Sequence, residues 1–258
     1  MTAGLLGGAL RVWRRDMESW RQYYKASLVG ALGEPILSLL AIGYGLGRFV
    51  DIDPSGAGVS YAQFLAPGIL ASAALNAASF EATFGSFTRM TEQKTYDAIL
   101  ATPIGIREIV AGDALWAASK ATLSGTAVLL VAAVAGLVTS WCALVLPLVA
   151  LLIGLVFATM GLVVASRAQA YDFFTYYFTL VISVMYFFSG IFFPLASLPW
   201  WARAVAWCLP LTHAVALSRA CASGTIGAAV LVHLAVLLAV LGATYALAVR
   251  WVGRRLIA

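Results

Sequence analysis

The chain has 258 residues, of which 62% are apolar and only 10% charged, with a formal charge of +5 and a mean hydropathy of +0.94. Soluble domains carry roughly a quarter charged residues, so this composition excludes one and makes lipid the solvent for most of the chain. Spans of about 20 residues consume most of the length and leave no room for a separate soluble catalytic domain; the basic excess reads as the usual surplus of membrane-protein loops, with no nucleic acid as partner.

Residues 1–27 open with Leu6, Leu10, Trp13, Met17, Trp20 and Tyr24 at alternating steps of four and three, and with Arg11, Arg14, Arg15, Arg21 and Lys25 elsewhere on the wheel. This pattern predicts an amphipathic helix at the lipid boundary; a helix packed on protein is the alternative. The first apolar run follows directly and is longer than a signal-peptide core, so the first span is expected to stay in the mature protein. Apolar runs predict six transmembrane helices, at Leu28 to Phe49, Phe64 to Thr88, Leu115 to Val138, Ala143 to Ala165, Phe173 to Phe193 and Ile226 to Val249. The class is therefore an all-α integral membrane protein, because helices satisfy their own backbone groups in lipid.

Between the fifth and sixth spans, residues 196–225 are apolar but broken by Pro199 and Pro210 and charged at Arg203 and Arg219. With six spans both termini share a side, and twelve of the sixteen Lys and Arg residues fall there, among them Arg89, Lys94, Arg107, Arg167, Arg250, Arg254 and Arg255. The basic side is cytoplasmic. A seventh span would move the last three residues out, so 196–225 reads as an outer re-entrant helical pair, with Trp200, Trp201 and Trp207 at the interface. The cytoplasmic loop from Arg89 to Glu108 predicts a short helix ending at Thr102-Pro103, suited to docking a partner.

There is no GxxxxGK[ST] phosphate loop, no HExxH and no GxSxG elbow, so the chain itself is expected to hold no ATP, magnesium or catalytic metal. Cys142, Cys208 and Cys221 form no CxxC; Cys208 and Cys221 could pair outside the membrane, or serve as small apolar residues. Gly43 and Gly47 permit close helix approach. Charges inside spans default to a functional hypothesis. Glu34, Asp113 and Lys120 read first as structural groups, whereas Glu81 is central and reads equally as structural or transporting. Aromatic residues ring the fifth span, and Tyr176, Tyr177, Tyr186 and Phe187 join Glu81 as candidate pathway residues, with packing or lipid contact as the alternative. An ion-coupled secondary carrier is the other transport class these residues allow, resting on Glu81 and the Asp113/Lys120 pair.

The joint pattern nevertheless resembles a family. Glu34-Pro35-Ile36-Leu37, YAQFLAPGILASAALNAASFEATFGSFTRM (Tyr61 to Met90), EQKTYDAILATPI (Glu92 to Ile104) and YDFFTYYFTLVISVMYFFSGIFFPLASLP (Tyr171 to Pro199) are similar to the type-2 permeases of ATP-binding-cassette exporters, most of all the nodulation-factor (lipo-oligosaccharide) exporter permeases. Asp97 and Glu34 depart from that pattern by exchange of one acid for the other. The resemblance implies a homodimer in the bacterial inner membrane, with both termini cytoplasmic and separate nucleotide-binding ATPase subunits holding ATP and magnesium below. It further implies a coupling helix at about 92–103 with Glu92, Thr95, Asp97, Leu100 and Pro103 meeting the ATPase, and export of an amphipathic substrate by the domain spanning 28–258.

Overall fold

A computed structural model describes residues 4–45, 59–225 and 227–257, and all regular structure among them is helical. Helix α1 (Leu5–Trp20) leads through a turn into α2 (Tyr24–Ser38), which continues as a π-helical segment, Leu39–Gly45. The end of the first expected span, with Gly47 of the Gly43/Gly47 pair, and the carboxyl of Glu34 lie outside the described residues. Helix α3 (Tyr61–Thr91) starts where Ser60 and Gln63 cap each other's backbone N–H groups, and is followed by the short α4 (Thr95–Leu100). Helices α5 (Ile106–Val134), α6 (Leu146–Arg167), α7 (Phe173–Phe188), α8 (Trp200–Cys208), α9 (Pro210–Ser223) and α10 (Ala228–Ile257) complete the chain.

Of these, α3, α5, α6 (with its leading 3-10 turn) and α10 are each long and apolar enough to cross a membrane. Helix α7 is apolar but shorter, and α8 and α9 meet at a bend of 86°. Pro210 causes that break: at the first position of α9 its missing N–H is harmless, but it prevents α8 from continuing. Several boundaries differ from expectation, with α10 running on to Ile257 and α7 ending at Phe188. Helix α5 begins nine residues before Leu115, because Gly105 and Glu108 cap a polar first turn. Helix α3 runs on through Arg89, which is therefore a buried helical residue and not a loop cation.

The core forms where α5 and α6 lie against each other and against α3. Small residues make this possible, since helices in lipid associate by close packing and not by expelling water. A Cβ on Gly154 of α6 would lie 2.7 Å from the Cα of Ala118 and 2.7 Å from the Cβ of Ala121 on α5. Helix α1 packs on α5 in the same way: Gly8, Ala9, Val12 and Asp16 are buried, and a Cβ on Gly112 would meet that of Val12 at 2.5 Å. The face buried is thus the small one, while Leu6 and Leu10 of the predicted stripe stay exposed. Trp13 fixes the contact by donating to Ser119 at 2.9 Å.

At one end of the bundle, α3 and α6 finish and α5 and α7 begin. There the Arg255 guanidinium of α10 donates to the carbonyls of Ala165 and Ala168, closing the C-terminus of α6. The opposite end is tied by Arg219 of α9, which donates to the carbonyls of Gly190 (2.7 Å) and Ile191 (3.0 Å) and lies 3.7 Å over the Phe64 ring. His213 and His233 join α9 to α10 at 2.9 Å; because His213 Nε2 faces the Trp207 carbonyl, which only accepts, His233 Nδ1 is the donor in this pair. The three cysteines are free, Cys208 exposed and Cys221 buried.

The α5–α6 packing predicts that Gly154→Ala, which has no room, destabilises the protein by about 1–3 kcal/mol. Gly242→Ala on α10, which meets nothing within 4 Å, should be neutral or slightly stabilising through helix propensity. Thermal unfolding of the two variants in detergent, followed by tryptophan fluorescence, checks the ordering.

Candidate functional site

A charge in hydrocarbon must be paired and hydrogen-bonded or it costs several kcal/mol. In this chain α3 and α5 supply those partners to each other. Glu81 lies in a π-helical turn of α3, Glu81–Gly85. A side chain at Gly85 would place its Cβ 2.6 Å from Glu81 Oε1, so glycine there lets the carboxylate fold back along its own helix toward Arg89, whose Nη1 donates to it at 2.8 Å. From α5, Trp116 Nε1 donates to the same oxygen at 3.1 Å and Lys120 Nζ to the other at 2.6 Å. Arg89 also reaches Asp113 Oδ2 at 3.3 Å. That oxygen accepts from Ser86 at 2.8 Å and from the hydroxyl of Tyr96 on α4. Asp113, Trp116 and Lys120 stand at steps of three and four on one face of α5, which is why one helix can answer both charges of α3.

Asp16 of α1 borders this network, 3% exposed and held by Arg15. Burial pushes its carboxyl up to about 7, with Asp113 pushing the same way against Arg89 and Arg15. Burial and the Asp113 carboxylate likewise hold the Tyr96 hydroxyl well above the ordinary phenol range.

Above the network opens a cavity of about 970 Å³ bounded by α1, α2, α3, α5 and α7. One part of its wall is hydrogen-bonding: Ser19, Ser72, Asn76, Gln93, Glu81 and Lys120. Another is aromatic: Trp20, Phe80, Phe84, Tyr171, Phe178 and Tyr186. Rings also hold α3 to α7 and to the turn before it, with Phe84 against Phe174 at 4.9 Å, Phe80 against Phe178 at 6.5 Å and Phe87 against Tyr171 at 4.9 Å between centroids. A wall of this kind suits a molecule with a hydroxyl-rich part and an apolar part.

Of the candidate pathway residues, Glu81 and Tyr186 line the cavity. Tyr177 is buried outside its wall, and Tyr176 and Phe187 are largely exposed on α7. Of the candidate coupling residues, Glu92, Asp97 and Pro103 are exposed and Thr95 and Leu100 half-buried along α4 and its flanks. Lys94, with a left-handed φ of 51°, makes the sharp turn that separates α4 from α3. Sequence reading missed Tyr96, Trp116, Arg89 and Asp16 as members of one cluster. Only a helical wheel that paired α3 with α5 could have signalled Trp116 and Arg89.

Replacing Arg89 with Met leaves Asp113 without its cation and Glu81 with Lys120 as its salt-bridge partner. It should cost about 3–5 kcal/mol, the usual penalty for breaking a buried pair from one side, as a lowered unfolding temperature in detergent. Asp16 binds its proton more tightly in the folded than in the unfolded chain, with a pKa of about 7 against 3.8. Its contribution to stability is therefore present at low pH and declines as pH rises from about 4 to about 7. Asp16→Asn should remove that part of the pH dependence, as the difference between variant and wild-type melting curves across the window.

Comparison with known proteins agrees with this architecture. Residues 10–222 match the family described as ABC-2 type transporter. Nodulation protein J of Rhizobium leguminosarum bv. viciae is 41% identical over 229 residues, 88% of this chain and 87% of that protein. The protein of the same name from Sinorhizobium fredii is 37% identical over 88% of this chain and 86% of its own length. That from Bradyrhizobium diazoefficiens is 41% identical over 81% and 78%. No solved structure matches. A chain matched over most of its length by this family, built of long apolar helices and carrying no nucleotide-binding motif of its own, belongs to the ABC-2 type transporters: it is a multi-pass membrane permease subunit and not an enzyme, with its ATPase in a separate partner.

Proposed function

We propose that this permease exports an amphipathic saccharide, a lipo-oligosaccharide or similar glycolipid, at the expense of ATP hydrolysed by its partner. The single observation that carries the reading is the cavity of about 970 Å³ with its divided wall. Aromatic faces suit sugar rings and acyl chains, and the hydroxyl, amide and charged groups suit sugar hydroxyls. The similarity to proteins named Nodulation protein J supports the same class of substrate.

In this reading six helices cross the membrane, α2, α3, α5, α6, α7 and α10, and the end that carries α1, α4 and the C-terminus faces the cytoplasm. The run of Arg and Lys residues at that end supports the orientation. Residues 1–27 lie at the cytoplasmic interface, where exposed Leu6 and Leu10 meet lipid while the opposite face of α1 holds to α5. Residues 28–258 form the transmembrane domain, and two copies enclose the pathway. Helix α10, whose surface is the least covered of the long helices, is left to lipid or to the second copy. The bent pair α8 and α9 is re-entrant from the outside, with Trp200 and Trp201 exposed at the interface. Residues 92–103 dock in the ATPase, and ATP and magnesium stay in that subunit.

A cationic replacement of the two exposed acids of the docking segment, Glu92→Lys with Asp97→Lys, should reduce co-purification with the cognate ATPase by about tenfold or more, as charge reversal at an interface typically costs. The folded permease, judged by gel filtration, should be unchanged. In proteoliposomes, ATP should drive transport of an alkyl oligosaccharide only when the ATPase is present; transport that follows a proton gradient without it would reject the reading.

A further inference from the structure

The docking helix and the cavity wall are joined by one line of charge-assisted bonds. Tyr96 is the buried residue of α4, and its ring carries the hydroxyl inward to Asp113. From Asp113 the line passes to Arg89, from Arg89 to Glu81 at 2.8 Å, and from Glu81 to Lys120 at 2.6 Å, and the last three residues line the cavity.

The line is also able to change its pairing. Arg89 holds Glu81 closely and Asp113 more loosely, at 3.3 Å. Its Nε, the Oδ1 of Asp113 and the Oδ2 of Asp16 are buried without partners, so this guanidinium has a donor to spare beside carboxylates with acceptors to spare. Three acids (Asp16, Glu81, Asp113) face three bases (Arg15, Arg89, Lys120). Re-pairing among them alters no net charge and so avoids the main electrostatic cost of rearrangement in lipid. Discrete alternative pairings of this kind are what couples two sites, because packed elements switch and do not deform continuously.

We propose that Tyr96 is a positioning residue through which movement of the docking helix re-pairs Arg89 and thereby reshapes the cavity. When the ATPase shifts α4, Asp113 loses the hydroxyl of Tyr96. It then draws Arg89 to itself, and Glu81 is left to Lys120 and Trp116 on the cavity wall. The inference rests on α4 being the ATPase-docking helix.

The test needs no knowledge of the substrate. Asn76, half-buried in the cavity wall, is replaced by Cys in a chain whose three native cysteines are changed to Ala. Its labelling by a membrane-impermeant maleimide is timed in the full complex with and without ATP and vanadate. The expected result is a change in labelling rate of about tenfold in the parent, within the usual range of allosteric coupling, and of less than about twofold in Tyr96→Phe. Association with the ATPase and its basal hydrolysis should persist in that variant, since phenylalanine still fills the buried site. Asp113→Asn, which keeps the shape, should lose the response equally, and the double variant should be no worse than either single one, as expected of residues in one line. A full response in Tyr96→Phe, or additive losses in the double variant, overturns the inference while leaving the docking reading intact. A parent chain that shows no association with the ATPase overturns both.

Discussion

Glu81 and Arg89 stand eight residues apart on the helix that runs through the middle of the bundle, where neither could remain charged without the other or without partners from α5. That requirement constrains almost everything near it. It fixes the register of α3 against α5, since Trp116, Lys120 and Asp113 must all face the same two side chains. It gives α4 its seat through Tyr96, and it sets the buried edge of α1 at Asp16, whose carboxyl lies in the field of the same network. Charge pairing here specifies position more than it adds stability, because desolvation consumes most of what the pairs return.

Close approach is the other condition, and small residues provide it. Gly154 lets α6 close on α5, Gly112 lets α1 close on α5, and Gly161 of α6 lets it close on Ala82 of α3. The opposite end is held differently. There Arg219 gathers carbonyls left free where α7 ends and the chain turns, and the bent pair α8 and α9 is fastened to α3 and α10 without a charged partner. One end of the protein is therefore organised by ion pairs, the other largely by hydrogen bonds to backbone groups. The ion pairs lie beside α4, the helix proposed to dock the ATPase.

The cavity lies against the ion-paired part. Its polar wall is made largely of α1, α3 and α5, and its aromatic wall of α3 and α7. The proposed export of a molecule with unlike ends would use both walls, and membership in the ABC-2 type transporters implies a nucleotide-binding ATPase partner.

The sequence by itself determined the class, the order of the elements and the family. Length and hydropathy force helices in lipid, prolines and polar caps mark their ends, and the segments from Tyr61 to Ile104 and Tyr171 to Pro199 carry the resemblance that the comparisons bear out. Glu81 could be singled out because an acid in an apolar run is costly wherever it occurs. Its partners could not be, since Arg89 reads as a loop cation until α3 is seen to continue through it, and Tyr96 reads as one aromatic residue in a polar loop. Periodicity also showed the large apolar stripe of α1 but not its protein contact, since the small face of Gly8, Ala9 and Val12 is the one that fits against Gly112. Composition and spacing act along one helix at a time, and they are decisive where the solvent sets the rule. Which helices meet, which charges answer each other and where a cavity is left between them are properties of packed surfaces, and only the tertiary structure decided them.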